Sequence, residues 1–527
     1  MPGEKTISNI LQPTRRRFLQ TAGALSATLS AGGFLLPGSA AAQAETPVRG
    51  GHLVMGLDTA SSSDRLDPAF YTEAYMYTVG FQLFNTVVEL GPDGKLIGAL
   101  AESWEPATPD ASKWVFKLKK GVQFHNGKEL TAQDVVYSLN HHRGEKSNSG
   151  GKGQLLAVTD IIASDTHEVT VTLNSGNADF PAALVDYHLG IGPDGGDFDK
   201  GVGTGAFILE DFQPGVRALT KRNPNYWASD RAFVDSVETI AMSDATARMA
   251  ALLSGQVHII NRVEPRAVSR LTTRPGVQIL RSQENTMYCF PMRVDTAPYN
   301  NLDLRLALKH AIDREELQKS LLVGTGAIGN DNPIASWNPY FAKDIPQRAY
   351  DPEKASFHFK KAGSPSGIQI SASDNGFPGS VDAAQLYQAS AAKAGITIDV
   401  DRVPSDGYWD EVWMKKPFVA SNWSVRPTAD AMLSLILQSD APWNETAWRD
   451  ESFDKLLAAA RVELDETKRK QIYHDLQVKL VDEGGEIIPL FVDNLAAASD
   501  KVGGYVPVPG GGDLSGYRIA ERAWLKA

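Results

Sequence analysis

The chain has 527 residues and a mass of 57.1 kDa, too long for one core, since single cores stop growing near ~250–300 residues. Apolar residues make up 42% and charged residues 22%, a globular balance that excludes wholesale disorder. Lys plus Arg number 52 against 63 Asp plus Glu, a net charge of −11; without a basic tract this is a poor nucleic-acid binder. The single cysteine, Cys289, excludes an internal disulfide and Cys-rich zinc or iron–sulfur sites.

The N-terminus reads as an address. Arg15-Arg16-Arg17 precede an apolar stretch, Ala22 to Leu36, which is shorter than the roughly 20 residues a bilayer crossing needs. The small-residue segment Ser39 to Ala44 follows. Basic region, short apolar region and an Ala-x-Ala site make a secretory signal peptide over 1–44. Cleavage is expected after Ala44, with Ala42 as the alternative. Arg15-Arg16 followed by Phe18-Leu19 resembles the twin-arginine export signal, which carries folded cargo. The mature protein is therefore expected in the periplasm.

In the mature chain, Gly50 to Leu57 starts as a turn and becomes a short strand, and Tyr71 to Leu83 reads as an aromatic-rich helix. Lys113 to Leu118 alternates, with Trp114, Phe116 and Leu118 on one face. Thr131 opens a helix to about His142 through a capping box with Asp134. Residues 143–153 are a polar loop. Glu168 to Leu173 alternates again, and the glycine-rich Pro193–Gly205 marks a boundary. Asp244 caps a helix that stops at Gly255, before a buried-type strand Val257–Ile260. Leu304, Ala307, Leu308 and Ala311 have helical spacing, and Asp313 restarts a helix. Asp351-Pro352 opens another that ends at Gly363. Gly367–Ala372 and Ile396–Val400 are strands flanking a helix near 382–394. Helices follow at 451–461 and 466–482, then a late strand Ile487–Val492. Alternating strands and helices indicate α/β architecture.

Catalytic signatures are missing. Gly150-Gly151-Lys152-Gly153 lacks the hydroxyl residue of a phosphate loop and reads as a turn. There is no His-Glu-x-x-His and no Gly-x-Ser-x-Gly. His141-His142 are helix neighbours pointing apart, and Cys289 sits in an apolar run as a buried thiol. Binding is expected rather than catalysis, with no cofactor and no protein-bound metal.

One set of motifs carries a resemblance. Phe84-Asn85-Thr86-Val87-Val88-Glu89, Leu100-Ala101-Glu102-Ser103-Trp104, Trp114 to Lys128 and Leu130 to Ser138 together resemble the signature of the peptide/nickel/opine class of extracytoplasmic solute-binding proteins (family 5 type), which serve ATP-driven (ABC) importers. Gly203-Thr204-Gly205-Ala206-Phe207, Arg222-Asn223-Pro224-Asn225-Tyr226-Trp227, Leu302 to Arg314 and Tyr350 to Ala355 are similar to further family motifs, in order along the chain. The resemblance implies a two-lobed α/β periplasmic-binding-protein fold with hinge strands and an inserted subdomain. The first lobe would span 45–86, 203–290 and 493–527, the insert 87–202 and the second lobe 291–492. It also implies hinge closure on a small solute and delivery to an inner-membrane permease by a monomer. A peptide or opine-like solute is expected. A metal-chelate or haem carrier, a receptor-linked sensor and a secreted hydrolase are the alternatives.

The same resemblance places a Trp-led segment on the cleft face of the second lobe, with an acidic residue three positions on that can hold a peptide ammonium. Here the Trp is Trp423 and the matching position is Arg426. A guanidinium favours a carboxylate or phosphate, so the ligand is expected to present an anion there, with Asp430 available for an ammonium. The alternative is that Arg426 and Asp430 pair with each other. Tyr71, Tyr288, Trp337 and Asn375 are further candidate ligand contacts. Tyr75 and Tyr77 accompany Tyr71 after the first strand, and only one of these three is expected to touch the ligand.

Overall fold

Two long strands, Val277–Pro291 and Glu486–Ser499, run antiparallel from Val277 opposite Ser499 to Pro291 opposite Glu486. Around them the computed structural model, which describes residues 46–526, builds a nine-stranded sheet. The expected signal peptide and its cleavage site lie outside the described residues. On one flank the sheet adds Ser421–Ser424 beside Val277–Pro291. On the other it adds Ile259–Ile260, His52–Leu57, Ser236–Ala241, Arg217–Arg222 and Phe207–Gln213 in that order, and Ala327–Ile328 pairs with Glu486–Ser499 off this path. His52–Leu57 pairs in parallel with both neighbours, and the rest of the sheet is antiparallel.

The two long strands belong to more than one core. Leu280, Ala496 and Ala498 pack with Leu53, Met55, Tyr75 and Phe207. At the other end, Tyr288, Phe290, Ile487 and Leu490 pack with Leu304, Ile370 and Tyr387, and Met287, Cys289, Ile488 and Phe491 with Trp423, Leu433 and Tyr473. A separate core over 87–191 is built on a four-stranded antiparallel sheet, in which Trp114, Phe116, Leu118, Val169 and Val171 point inward. This is the alternation the sequence predicts, and it holds because one sheet face is buried there.

Between the cores, the long ladder breaks. Ser282 faces Asn494 but Thr286 faces Val492, so the strand carries extra residues. Glu284 takes a left-handed φ of 50° in this bulge. Asp493 pins it, accepting from Glu284 N at 3.0 Å and from Gly326 N at 2.9 Å, and pairing with Arg281. A bulge bends and twists a strand locally, which is what a hinge needs.

Helix caps follow the sequence closely. Thr131 N donates to Asp134 Oδ2 at 2.8 Å ahead of Ala132–His141. Asp244, Asp313 and Asp351 each accept a backbone N–H as expected. Three expectations change. The helix predicted from Tyr71 begins at Ala74, because Asp67 first caps a 3-10 turn, Pro68–Phe70. Only Ile259–Ile260 of the predicted strand pairs; Val257 N still closes the preceding helix on Ala251 O. The late strand runs on to Ser499 through Ala496-Ala497-Ala498, good helix formers by propensity, because ladders on both sides claim their backbone. No helix among the described residues is long and apolar enough to cross a membrane.

Buried charges tie the C-terminal segment to the start of the 87–191 core. Arg231 pairs with Glu89 and, at 3.1 Å, with Glu521. Arg518 reaches Glu521 at 2.8 Å and Thr86 Oγ1 at 3.0 Å, and Tyr226 OH donates to Glu521 at 2.9 Å. Burial alone would raise the Glu521 carboxyl, but Arg518 and Arg231 outweigh it and hold it at about 2. Removing one member of such a network leaves an uncompensated buried charge. Glu521→Gln is therefore expected to cost about 3–5 kcal/mol in urea unfolding at neutral pH. A carboxyl held below its ordinary value stabilises the fold above that value and loses the contribution as pH falls through the lowered one. The gap between the two proteins should thus narrow as pH drops from 4.5 towards about 2; a pH-independent gap would contradict the charge argument.

Candidate functional site

The strand Ser421–Ser424 pairs antiparallel with Val277–Pro291, setting Trp423 opposite Met287 and Ser421 opposite Cys289. This register turns Trp423 into a core shared with Met287 and Cys289 and leaves it 8% exposed. Trp423 is the middle of an aromatic row. Its ring lies 5.9 Å from Trp413 and 5.8 Å from Trp443, and Trp413 lies 5.6 Å from Trp409. The ends of the row reach solvent, Trp409 at 40% and Trp443 at 44% exposure. Beneath it, Glu445 accepts from Trp423 Nε1 at 2.6 Å and from Trp413 Nε1 at 2.5 Å.

Arg426 follows this strand. It is partly buried, and among the described residues no hydrogen bond or ion pair satisfies it. Desolvation lowers its pKa, and Tyr187 and Asp186 oppose that shift from the facing side. The expected pairing with Asp430 is not made. Asp430 lies in the helix Ala429–Ile436, and its carboxylate accepts from Arg461 Nε at 3.1 Å and from Ser434 Oγ at 3.2 Å. Arg426 precedes that helix, so helical i,i+4 geometry does not apply to it.

Opposite Arg426 stands a tyrosine cluster. Tyr77 stacks on Tyr187 with centroids 3.6 Å apart, and Tyr517 meets both edge-on. Burial raises the Tyr187 phenol well above its usual value. Asp186 is fixed by His188 Nδ1 at 2.6 Å. Tyr517 ends four consecutive left-handed residues, Leu514, Ser515, Gly516 and Tyr517, with φ between 48° and 70°. Its N–H closes the turn on Asp513 O at 2.6 Å. Left-handed backbone costs about 1–2 kcal/mol per non-glycine residue, so the surrounding packing must enforce it. Asp513, buried beside Asp58 and Arg262, is pushed up to about 6 by desolvation. Arg262 in turn pairs with Asp58 at 3.2 Å and Glu73 at 3.3 Å. The tyrosine side of the site is thus acidic, and the tryptophan side carries an unpaired cation.

The other sequence candidates have different surroundings. Tyr71 is buried, with its OH on Leu66 O at 2.7 Å and its ring where a Cβ on Gly80 would sit; Tyr75 OH is likewise held, by Thr239 O at 3.2 Å. Of the three aromatics after the first strand, Tyr77 is the one in the cluster. Tyr288 stacks on Phe377 at 4.2 Å, and burial pushes its phenol up to about 12. Trp337 Nε1 donates to Glu284 O in the strand bulge at 3.4 Å, and its ring lies so close to Gly510 that a Cβ there would be 2.4 Å away. Asn375 Nδ2 donates to Ser405 O at 2.6 Å, at the rim of a shallow depression shared with Asp406, Tyr408 and Trp409. Sequence reasoning missed Tyr187, Tyr517 and Trp443. Only the unusual Gly510-Gly511-Gly512 run hinted at a special turn before Tyr517.

The 87–191 region also touches the core around Trp423 directly. Asp179 pairs with Arg469 at 2.5 Å, and Ala178 N donates to Arg461 O at 2.8 Å. Arg469 is further held by Tyr340 OH at 3.2 Å.

Comparison with known proteins places the chain. Residues 95–444 match the family model described as bacterial extracellular solute-binding proteins, family 5 middle. Heme-binding protein A of Haemophilus influenzae is 27% identical over 504 residues, covering 86% of this chain and 90% of its own. The dipeptide-binding protein of Escherichia coli is 24% identical, covering 85% and 91%. The solved structure of HbpA2 from Haemophilus parasuis superposes with a TM-score of 0.80 at 22% identity, over 90% of this chain and 100% of that one. The fold is the two-lobed α/β fold of periplasmic binding proteins, and the chain belongs to family 5 of the bacterial extracellular solute-binding proteins.

Proposed function

We propose that this protein is the periplasmic substrate-binding component of an ABC importer, exported by its twin-arginine-type signal. It captures a small amphoteric solute between two lobes and hands it, as a monomer, to the inner-membrane permease. It performs no chemistry on the solute. In this reading the lobes divide as the sequence suggests, 45–86, 203–290 and 493–527 against 291–492, with 87–202 inserted in the first, and the bulge at Glu284 acts as the hinge. The relatives named for haem and for dipeptides support the class of activity.

The observation that carries the ligand reading is Arg426. A partly buried guanidinium without a partner is costly unless an anion completes it. A carboxylate or phosphate of the solute meets Arg426, and the tyrosine cluster and its carboxylates receive the polar or cationic remainder. This polarity is the reverse of an acidic residue holding a peptide ammonium at that position, so the reading favours an opine-like or otherwise anionic conjugate over ordinary peptides. A planar metal chelate or haem is the second reading, supported by the tryptophan row with its exposed ends.

Mass spectrometry of small molecules released from protein purified from its own periplasm identifies the solute. Thermal-shift titration of the emptied protein then confirms it, since a ligand that binds only the folded state raises the midpoint. Ordinary di- to oligopeptides recovered and stabilising would make Arg426 structural. Arg426→Ala is expected to weaken binding of the recovered solute about 10- to 100-fold, the worth of one charged hydrogen-bonded contact. The unliganded midpoint should be unchanged or raised, because a desolvated charge is removed. Unchanged affinity would end the anion reading.

Tyr187→Ala should weaken the same binding about tenfold through the lost aromatic contact, and unchanged affinity would exclude the tyrosine side from the site. The Asp179–Arg469 contact holds the two lobes together in the closed form. Asp179→Asn should enlarge the unliganded protein in small-angle scattering and weaken the solute several-fold, by about 1 kcal/mol or more. An unaltered scattering profile together with unaltered affinity would remove that contact from the closure mechanism.

A further inference from the structure

Under the tryptophan row lies a group of side chains that solute capture leaves unused. Strand register sets Cys289 opposite Ser421 and Pro291 opposite Glu486. Glu445 enters from the loop ahead of the helix Glu451–Val462. One oxygen from each carboxylate and Cys289 Sγ lie within 4.8 Å of one another, all three residues buried. Glu445 already accepts from two indoles and faces the Cys289 thiol at 3.7 Å. Glu486 is 3% exposed. Neither of its oxygens meets a conventional donor, and the buried Ser421 hydroxyl lies beside Glu445 and the Cys289 thiol.

Among the described residues, no cation touches this pair. Lys309 is the nearest ammonium in electrostatic terms, but it donates to Leu480 O at 3.2 Å and Val481 O at 3.0 Å. Burial pushes it down to about 7. Asp331, the other charge that Glu486 feels, is bound by Arg314 at 2.6 Å and Arg348 at 3.2 Å. Tyr408 faces Glu445 but spends its OH on Ala420 O at 2.6 Å. Two carboxylates this close in a dry site cannot both ionise.

We infer that Glu445 and Glu486 share one proton, carried by Glu486, and that ionised Glu445 is the positioning residue that fixes Trp413 and Trp423 in the wall of the solute cleft. Neutral groups surround the Glu445 charge: two indole N–H, the Ser421 hydroxyl, the Cys289 thiol and the Glu486 carboxyl. Desolvation raises both carboxyls, and their mutual repulsion raises Glu486 further. A carboxyl whose pKa is raised by folding costs nothing at low pH. It destabilises the fold progressively as pH climbs from the ordinary carboxyl range to the raised value. The cleft role rests on the solute-binding reading, but the proton and the geometry do not.

The test needs no ligand. Glu486→Gln supplies an amide N–H where the carboxyl donates, and it cannot ionise. Its midpoint relative to the natural protein should rise steadily as pH climbs above about 4.5, because only the natural protein carries the raised carboxyl, with tryptophan emission and acrylamide quenching unchanged at neutral pH. Glu445→Gln offers one acceptor oxygen to two indoles, so the row should shift, with altered emission and quenching at every pH. A pH-independent loss of stability in Glu486→Gln, or natural emission in a folded Glu445→Gln, would overturn the inference. So would one equivalent of a divalent cation in the purified protein, by elemental mass spectrometry, whose removal by EDTA lowers the midpoint; a bridging metal would then replace the proton. If no solute is found but the pH trend holds, the solute-binding reading fails and the shared proton stands.

Discussion

Everything in this molecule hangs on one antiparallel ladder, Val277–Pro291 against Glu486–Ser499. Its backbone hydrogen bonds run from a core built on Leu53 and Phe207 to cores built on Leu304 and Leu433. A ladder is stiff along its length but soft in twist, and the bulge at Glu284 concentrates that softness at one place. The ladder also sets registers. Cys289 lies beside Ser421 and Met287 beside Trp423 because each strand fixes the next. The strand that carries Trp423 is therefore a direct continuation of the long ladder.

Among the described residues, several buried charges form closed groups. The Glu89–Arg231–Glu521–Arg518 network, the Asp331–Arg314–Arg348 group and the Asp430–Arg461 pair each close on themselves. The Glu445–Glu486 pair closes with neutral donors. Arg426 is partly buried and, among the described residues, makes no hydrogen bond or ion pair, though Tyr187 and Asp186 act on it. Its placement across from acidic, tyrosine-rich backbone that is held left-handed at Leu514 to Tyr517 gives the cleft opposite characters on its two sides.

Much of the local structure was written in the chain. Caps at Asp244, Asp313 and Asp351, the alternation of Lys113–Leu118, and Gly255 at a left-handed helix end needed only neighbouring residues to be read. The strand through Ala496–Ala498 was not legible past Val492, because alanine favours helix locally and only flanking ladders on both sides hold it extended. Arg426 was visible as a departure from a pattern. Its lack of a partner was not, since Asp430 is taken by Arg461, a residue far along the chain.

The sequence alone determined the family, the α/β alternation, the capped helices and the residue types available to a cleft, because these depend on short-range spacing and on motifs in order. Which aromatics meet was decided by tertiary structure. Tyr71 and Tyr77 lie six residues apart, yet one is sealed against Gly80 and the other stacks on Tyr187. Trp409, Trp413, Trp423 and Trp443 became one row, and Cys289, Glu445 and Glu486 one group, only through strand register and long-range packing. The Tyr77–Tyr187 and Cys289–Glu445 contacts join segments more than a hundred residues apart, and no local preference encodes them.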